Sequence, residues 1–200
     1  MKKNALNNAS NKSKAKASKL RIIAGEWRSR QLPIPDIEGL RPTPDRVRET
    51  LFNWINPYIP SAICGDLFCG SGALGLEALS RGAKHVTFVD NSRVVSQQMN
   101  KNLATLGATN ANVIAQNAAD FLNTTTPHAL DLVFLDPPFR KGWLEKIIPL
   151  LENGWLATRA HVYIEMEKEA TLPTLPTHWS LIKEKTAGQL VYRLFEVNQA

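Results

Sequence analysis

From residue 62 onward, short apolar runs alternate with longer stretches of helical periodicity. Strand-like segments lie at 62–68, 86–90, 112–116, 130–135 and 161–165. Helical stretches at about 73–81, 92–106, 117–123 and 143–152 separate them, and Gly82 and Gly107 stand where C-terminal caps are expected. Strand, helix, strand in repetition predicts an α/β fold: a mostly parallel central sheet with helices on both faces, Rossmann-like in layout. Two closing segments, at about 178–184 and 190–197, flank Ala187-Gly188-Gln189 and predict an antiparallel terminal hairpin at one edge.

The chain before residue 62 reads differently. Apolar segments at 20–24 and 31–34 surround Gly25-Glu26-Trp27 and predict a small hairpin. Thr43-Pro44 reads as a helix start, with Thr43 as N-cap and Pro44 at the first helical position. Val47, Leu51, Trp54 and Ile55 then fall on one face, and Pro57 and Pro60 end the element. Three regions result: a basic tail at 1–19 expected to be disordered, a hairpin and helix at 20–60 packed on the core, and the α/β domain at 61–200.

Two hundred residues with 44% hydrophobic and 21% charged side chains suit one medium-sized globular domain. No apolar run approaches the roughly 20 residues of a membrane-spanning helix. The net charge of +6 invites a nucleic-acid reading, but residues 1–19 hold six lysines and no acid. Beyond them stand 18 basic and 18 acidic residues, so the excess belongs to the tail. No hydrophobic stretch follows that tail, so it does not read as a secretory signal. Asn4, Asn7, Asn8 and Asn11, with no arginine before Arg21, fit a mitochondrial presequence poorly. Cys64 and Cys69 are too few for a disulfide scaffold, and a cytoplasmic, monomeric protein is expected.

The densest local signal is Asp66-Leu67-Phe68-Cys69-Gly70-Ser71-Gly72-Ala73-Leu74-Gly75, which follows a strand and opens a helix. Gly70, Gly72 and Gly75 spell the dinucleotide fingerprint, with Asp90 twenty residues beyond Gly70, so a nicotinamide cofactor is permitted. Asp66 points elsewhere. A carboxylate at that strand tip suits the cationic end of S-adenosylmethionine and would repel a pyrophosphate. Asp90 can accept from ribose hydroxyls under either reading.

Asp136-Pro137-Pro138-Phe139 ends the fourth strand, and ligands of open α/β sheets bind at such ends. The prolines remove backbone donors while leaving carbonyl acceptors, and they stiffen the turn. Asp136 adds an anionic acceptor and Phe139 a flat stacking face. An exocyclic amino group on a nucleobase fits such a site.

With Asp90 and Asp120, these motifs resemble those of class I methyltransferases that modify amino groups of bases. More narrowly, the chain resembles the RsmD-type 16S rRNA (guanine(966)-N(2))-methyltransferases of bacteria. The resemblance rests on Arg21-Ile-Ile-Ala-Gly25-x-Trp27-Arg28, on the 40–54 block from Leu40-Arg-Pro-Thr43 to Trp54, and on residues 66–82. Asp136-Pro-Pro-Phe139, Tyr163-Ile-Glu165 and Gly188-Gln with Tyr192-Arg-Leu194 complete it, over about residues 20–197. Cys69 stands where alanine is common in the family and Pro44 where threonine is frequent, and the tail is longer than the family needs.

The resemblance implies S-adenosylmethionine as cofactor, no metal, and small-subunit rRNA as substrate, alone or within the subunit or an assembly intermediate. It implies that Asp66, Gly70 and Gly72 cradle the methionine part, Asp90 holds the ribose and Asp120 meets the adenine amino group. Thr43, Arg46 and Glu49 would close over the cofactor, and Asp136, Pro137 and Phe139 would serve the acceptor base. Arg21, Arg28, Arg30 and Arg41 before the core, and Arg140-Lys141 after the catalytic turn, offer positive potential for RNA phosphates. His85, His128, His161 and His178 share no metal-ligand spacing. Two other readings stay open here: methylation of adenine or cytosine amino groups in DNA, and a non-catalytic RNA-binding assembly factor that keeps the cofactor fold. A nicotinamide oxidoreductase leaves Asp136-Pro-Pro-Phe139 unexplained.

Overall fold

A computed structural model describes residues 18–37, 43–139 and 141–199. The chain begins with an antiparallel hairpin of β1 (Lys19–Arg21) and β2 (Gln31–Pro33). Helix α1 (Asp45–Ile55) follows, then a short 3-10 turn, Asn56–Tyr58. The core alternates β3 (Ile63–Asp66), α2 (Ala73–Ser80), β4 (His85–Val89), α3 (Arg93–Leu106), β5 (Ala111–Ile114), α4 (Ala118–Thr124), β6 (Leu130–Leu135) and α5 (Trp143–Leu151). Three strands close it: β7 (Leu156–Glu167), β8 (Trp179–Ala187) and β9 (Leu190–Asn198).

Seven strands form one sheet in the order β5-β4-β3-β6-β7-β9-β8, with β3 to β7 parallel and the last two antiparallel. The chain moves outward from β3 through β4 to β5, then returns to lay β6 on the other side of β3. That reversal opens a crevice at the carboxyl ends of β3 and β6, where α/β sheets take their ligands. The expected architecture is therefore present.

Strand periodicity divides the core into two layers. Leu132 and Phe134 of β6 join Leu51, Phe52, Leu76 and Met99 beneath α1, α2 and α3. Val133 and Leu135 face the other way, toward Phe121, Ile147 and Trp155 of the α4 and α5 layer. Among the described residues no helix is long and apolar enough to cross a membrane.

Two expectations need correction. The N-cap of α1 is Pro44, not Thr43: its carbonyl accepts from Val47 N at 2.9 Å and Arg48 N at 3.0 Å, so the first turn closes one residue later. The strand expected at 161–165 is twelve residues long, because backbone pairing with β9 runs from Arg159 to Glu167 irrespective of apolar content. Trp143, at the start of α5, is half-buried against the α4 and α5 layer and packs edge-on against Phe68 at 5.6 Å. Leu144, Ile147, Ile148 and Leu151 form the buried face of the same helix.

The segment after β1 is fastened to α2 by polar contacts. Glu77, fully buried and the one charged residue of α2, accepts from Ile23 N at 2.8 Å and Ala24 N at 2.9 Å. It also pairs with Arg81 at 2.8 Å and with Arg48, 1% exposed, at 3.5 Å. Arg48 continues to Asp45 and to the Arg21 carbonyl at 2.8 Å. Ser80 completes the seam: its hydroxyl accepts from Trp27 N and donates to the Ala24 carbonyl, while its own carbonyl accepts from Glu26 N at 2.7 Å. Gly25 has φ +82°, and a Cβ there would lie 1.8 Å from the Ser80 carbonyl oxygen. Only glycine permits both the backbone angle and that approach.

Candidate active site

A cavity of about 850 Å³ occupies the crevice at the carboxyl ends of β3, β4, β6 and β7. One wall is the turn from β3 into α2, comprising Asp66, Leu67, Phe68, Cys69, Gly70 and Ser71. Gly70 takes φ +49° and donates its N–H to Asp90 Oδ2 at 3.0 Å, while Ser92 N donates to Asp90 Oδ1 at 2.8 Å. Each Asp90 oxygen keeps a lone pair for a further donor. The three glycines do different work. Gly70 lines the cavity, whereas a Cβ on Gly72 would lie 2.1 Å from Met99 Cε and one on Gly75 2.3 Å from Phe88 Cε1. Gly72 and Gly75 are therefore required by close packing of α2 on its neighbours.

Asp66 ends β3 with its side chain buried, accepting from Gly75 N at 3.0 Å. Burial, opposed by that hydrogen bond and aided by Asp90, pushes its carboxyl up to about 7. Among the described residues no cation pairs with it, so it offers unspent negative charge at the cavity wall.

The opposite wall is the expected turn: Asp136, Pro137, Pro138 and Phe139 all line the cavity. Pro137 is buried, whereas Phe139 is 46% exposed and stands at the mouth. β6 pairs with β7 through Leu135 and Ile164, so the next residues, Asp136 and Glu165, come side by side at the strand ends. Burial, with Glu165 and Asp66 close by, drives Asp136 well above the ordinary carboxylate range. Glu165 is 3% exposed, lines the cavity, and accepts from the Tyr163 hydroxyl at 2.9 Å. Burial raises it too, while the Tyr163 hydrogen bond holds it down.

The remaining candidates divide. Thr43 and Pro44 line the cavity, as do Asn91, Asn117, Ala118, Lys141, Trp143 and Leu190. Arg46 and Glu49 are exposed on α1 and lie off the cavity wall. Asp120 is also exposed and off the wall, because it is turned toward the cap of α4: its carboxylate accepts from Asn117 Nδ2 and its N–H donates to Asn117 Oδ1. Asn117 and Ala118 take that place on the wall. Of the basic set, Arg28 is exposed, Arg21 pairs with Asp45 at 2.8 Å, and Arg30 donates to the Thr105 carbonyl at 3.1 Å. Arg41, Arg140 and the tail at 1–17 lie outside the described residues.

The histidines stand apart from the cavity. His161 is buried and stacks on Tyr58 at 3.7 Å, and His178 contacts Glu152 at 2.8 Å. Among the described residues no group of three or more His, Cys, Asp or Glu side chains is arranged to hold a metal ion. Sequence reasoning left Asn117, Phe68 and Trp143 out of the site. For Asn117 the signal was present, since an Asn before Ala-Ala-Asp is a ready N-cap facing the strand ends.

Residues 20–196 match the family model described as conserved hypothetical protein 95. An Escherichia coli K12 protein, ribosomal RNA small subunit methyltransferase D, is 59% identical over 182 residues, covering 90% of this chain and 91% of that protein. Its Haemophilus influenzae namesake is 53% identical over 182 residues, covering 88% and 93%. The solved Escherichia coli protein yhhF, described as a candidate methyltransferase, superposes with a TM-score of 0.85 at 54% identity, covering 92% and 100%.

Proposed function

The chain belongs to the RsmD-type methyltransferase family, and on that premise we propose that it methylates the N2 amino group of a guanine in small-subunit ribosomal RNA, position 966 by resemblance, using S-adenosylmethionine. The observation that carries this reading is the shared cavity: the Asp136-Pro137-Pro138-Phe139 turn faces the Gly70 loop across one space.

The residues fit that cofactor. Asp66, buried and without a cation among the described residues, suits a sulfonium or ammonium centre. Gly70 allows close backbone approach, with Gly72 shaping the turn behind it. Asp90 would accept from the ribose, and Asn117 and Ala118 would meet the adenine with Asp120 behind them. Thr43 and Pro44 would close the near side, with Arg46 and Glu49 on the outer surface of the same helix. When bound, the cofactor supplies an electrophilic methyl group.

The chain must make a poor nucleophile usable. The guanine N2 lone pair is delocalised into the ring, which flattens the amino group. Asp136 and the Pro137 carbonyl accept its two N–H bonds and favour a pyramidal nitrogen whose lone pair points into the cavity. Phe139, at the mouth, stacks on a base turned out of its helix. Orientation of this kind can offset roughly 7–11 kcal/mol of a barrier. The methylated amine is strongly acidic, so Asp136 need only accept its proton and pass it to water. Arg28 and Lys141, with Arg41 and Arg140, are proposed to meet RNA phosphates, and Arg21 and Arg30 to contribute from their paired positions.

Because Asp136 and Glu165 hold a proton above the ordinary carboxylate range, the rate should rise with pH as that pair ionises. The decisive experiment is methyl transfer from radiolabelled S-adenosylmethionine to small-subunit rRNA, assembled subunits and duplex DNA, followed by mapping of the modified nucleotide. Label on an rRNA guanine N2 supports the reading. Label confined to DNA, or none on any substrate despite cofactor binding, overturns it.

A further inference from the structure

Asp136 and Pro137 account for an amino group, but adenine and cytosine also carry one. What differs is the ring atom beside it. Guanine has an N1–H donor next to its N2 amino group, whereas adenine N1 and cytosine N3 are acceptors. The cavity holds a second carboxylate at the place that distinguishes them. Glu165 follows Ile164, which pairs with Leu135, so it stands beside Asp136 at the sheet end. It lines the same cavity and is 3% exposed.

A carboxylate buried this deeply without a cation among the described residues is costly to keep unless a ligand satisfies it. Among the described residues its hydrogen-bond partner is the Tyr163 hydroxyl, which donates to Glu165 Oε2 at 2.9 Å. Tyr163 is fully buried in the layer beneath α1, its ring edge-on to Phe134 at 6.4 Å. That contact fixes the hydroxyl. One Glu165 oxygen is thus occupied, and Oε1 has no protein hydrogen-bond partner among the described residues, on a side chain that lines the cavity. From this geometry we infer that Glu165, held by Tyr163, is the residue that selects guanine by accepting a hydrogen bond from its N1–H while Asp136 accepts from the adjacent amino group. The inference rests on the guanine reading of the preceding subsection. An adenine or cytosine in the same pose would set a ring lone pair against the carboxylate.

The substitution Glu165→Gln reverses this preference in a defined way. With the Tyr163 hydroxyl donating to the amide oxygen, as it donates to the carboxylate here, the amide NH2 is turned toward the base. A donor then stands where guanine also presents one. The base 2-aminopurine carries the same methyl-accepting amino group but has an acceptor at N1, so it separates recognition from chemistry. The experiment compares small-subunit RNA carrying guanine or 2-aminopurine at the mapped acceptor position, using wild-type protein and E165Q. Intrinsic differences in amino-group reactivity cancel in the ratio of ratios.

Wild-type protein is expected to prefer guanine, and E165Q to lower the guanine to 2-aminopurine ratio by roughly 10- to 100-fold, the worth of one hydrogen bond to a charged group. An unchanged ratio, with both substrates slowed alike, overturns the inference and leaves guanine methylation standing. Should E165Q fail to fold, the wild-type ratio decides: equal transfer to the two bases overturns it. Absence of wild-type transfer to the guanine RNA overturns the guanine reading itself, and the inference with it.

Discussion

Two regions of this molecule bury carboxylates, and they treat them in opposite ways. Glu77 is surrounded by donors: two backbone N–H groups, Arg48 and Arg81. Asp66 and Glu165 are buried and Asp136 half-buried around a cavity, where one backbone N–H and one tyrosine hydroxyl donate to them and, among the described residues, no cation pairs with them. The first arrangement satisfies its charge internally and fastens the N-terminal segment to α2. The second leaves charge unsatisfied and raises proton affinity, with Asp66 at about 7. A buried acid that the fold has already neutralised is architecture. One that the fold leaves wanting is a place for a ligand.

That contrast can be broken from either side. The largest effect should come from Glu77→Ala, which strands the Arg48 guanidinium and two N–H groups. Removing one partner of a buried pair typically costs about 3–5 kcal/mol, to be read by denaturant unfolding. A loss under about 1 kcal/mol would show that the seam contributes little. Asp66→Asn should act with the opposite sign. The folded carboxyl is raised from 3.8 to about 7, so the native state binds the extra proton and wild-type stability falls as pH rises through that window. The variant escapes this penalty and should gain up to about 4 kcal/mol over wild type above pH 7, and nothing near pH 4. It should also lose affinity for S-adenosylmethionine; equal stability across the range would contradict the reading.

Gly25→Ala comes next. Its Cβ would collide with the Ser80 carbonyl at an unfavourable φ, at a cost of about 1–3 kcal/mol in thermal unfolding. The smallest effect belongs to Tyr163→Phe, which removes one hydrogen bond worth about 1 kcal/mol. It should push the proton affinity of Glu165 higher still, shifting the rate profile toward higher pH. A shift toward lower pH would mean that the hydroxyl does not favour the charged form.

Much of this architecture is legible in local pattern. The strand and helix alternation, the Gly70 turn and the Asp136-Pro137-Pro138-Phe139 turn are each set by neighbours in sequence, and each stands where expected. The seam is not legible in this way, because Arg48 and Glu77 are 29 residues apart and meet only when α1 docks. A lone glutamate inside Ala73-Leu-Gly-Leu-Glu77-Ala-Leu-Ser80 was the clue to it. The aim of side chains near a site is similarly tertiary. Arg46, Glu49 and Asp120 sit on the right elements yet off the cavity wall, whereas Asn117 and Trp143 are on it. Arg48, at helical spacing beside Val47 and Leu51, shows how a charged residue on an apolar face can be buried by its partners.

The most direct measurement of the central claim is a paired one on Asp136→Asn: thermal stability and methyl-transfer rate on small-subunit RNA from the same preparation. Relief of an unsatisfied, half-buried charge predicts a melting temperature equal to or above wild type, with the rate reduced about 10²- to 10³-fold, as for loss of one preorganised transition-state contact. A variant that melts lower while its folded fraction turns over at the wild-type rate would place Asp136 with Glu77 as architecture and contradict the account.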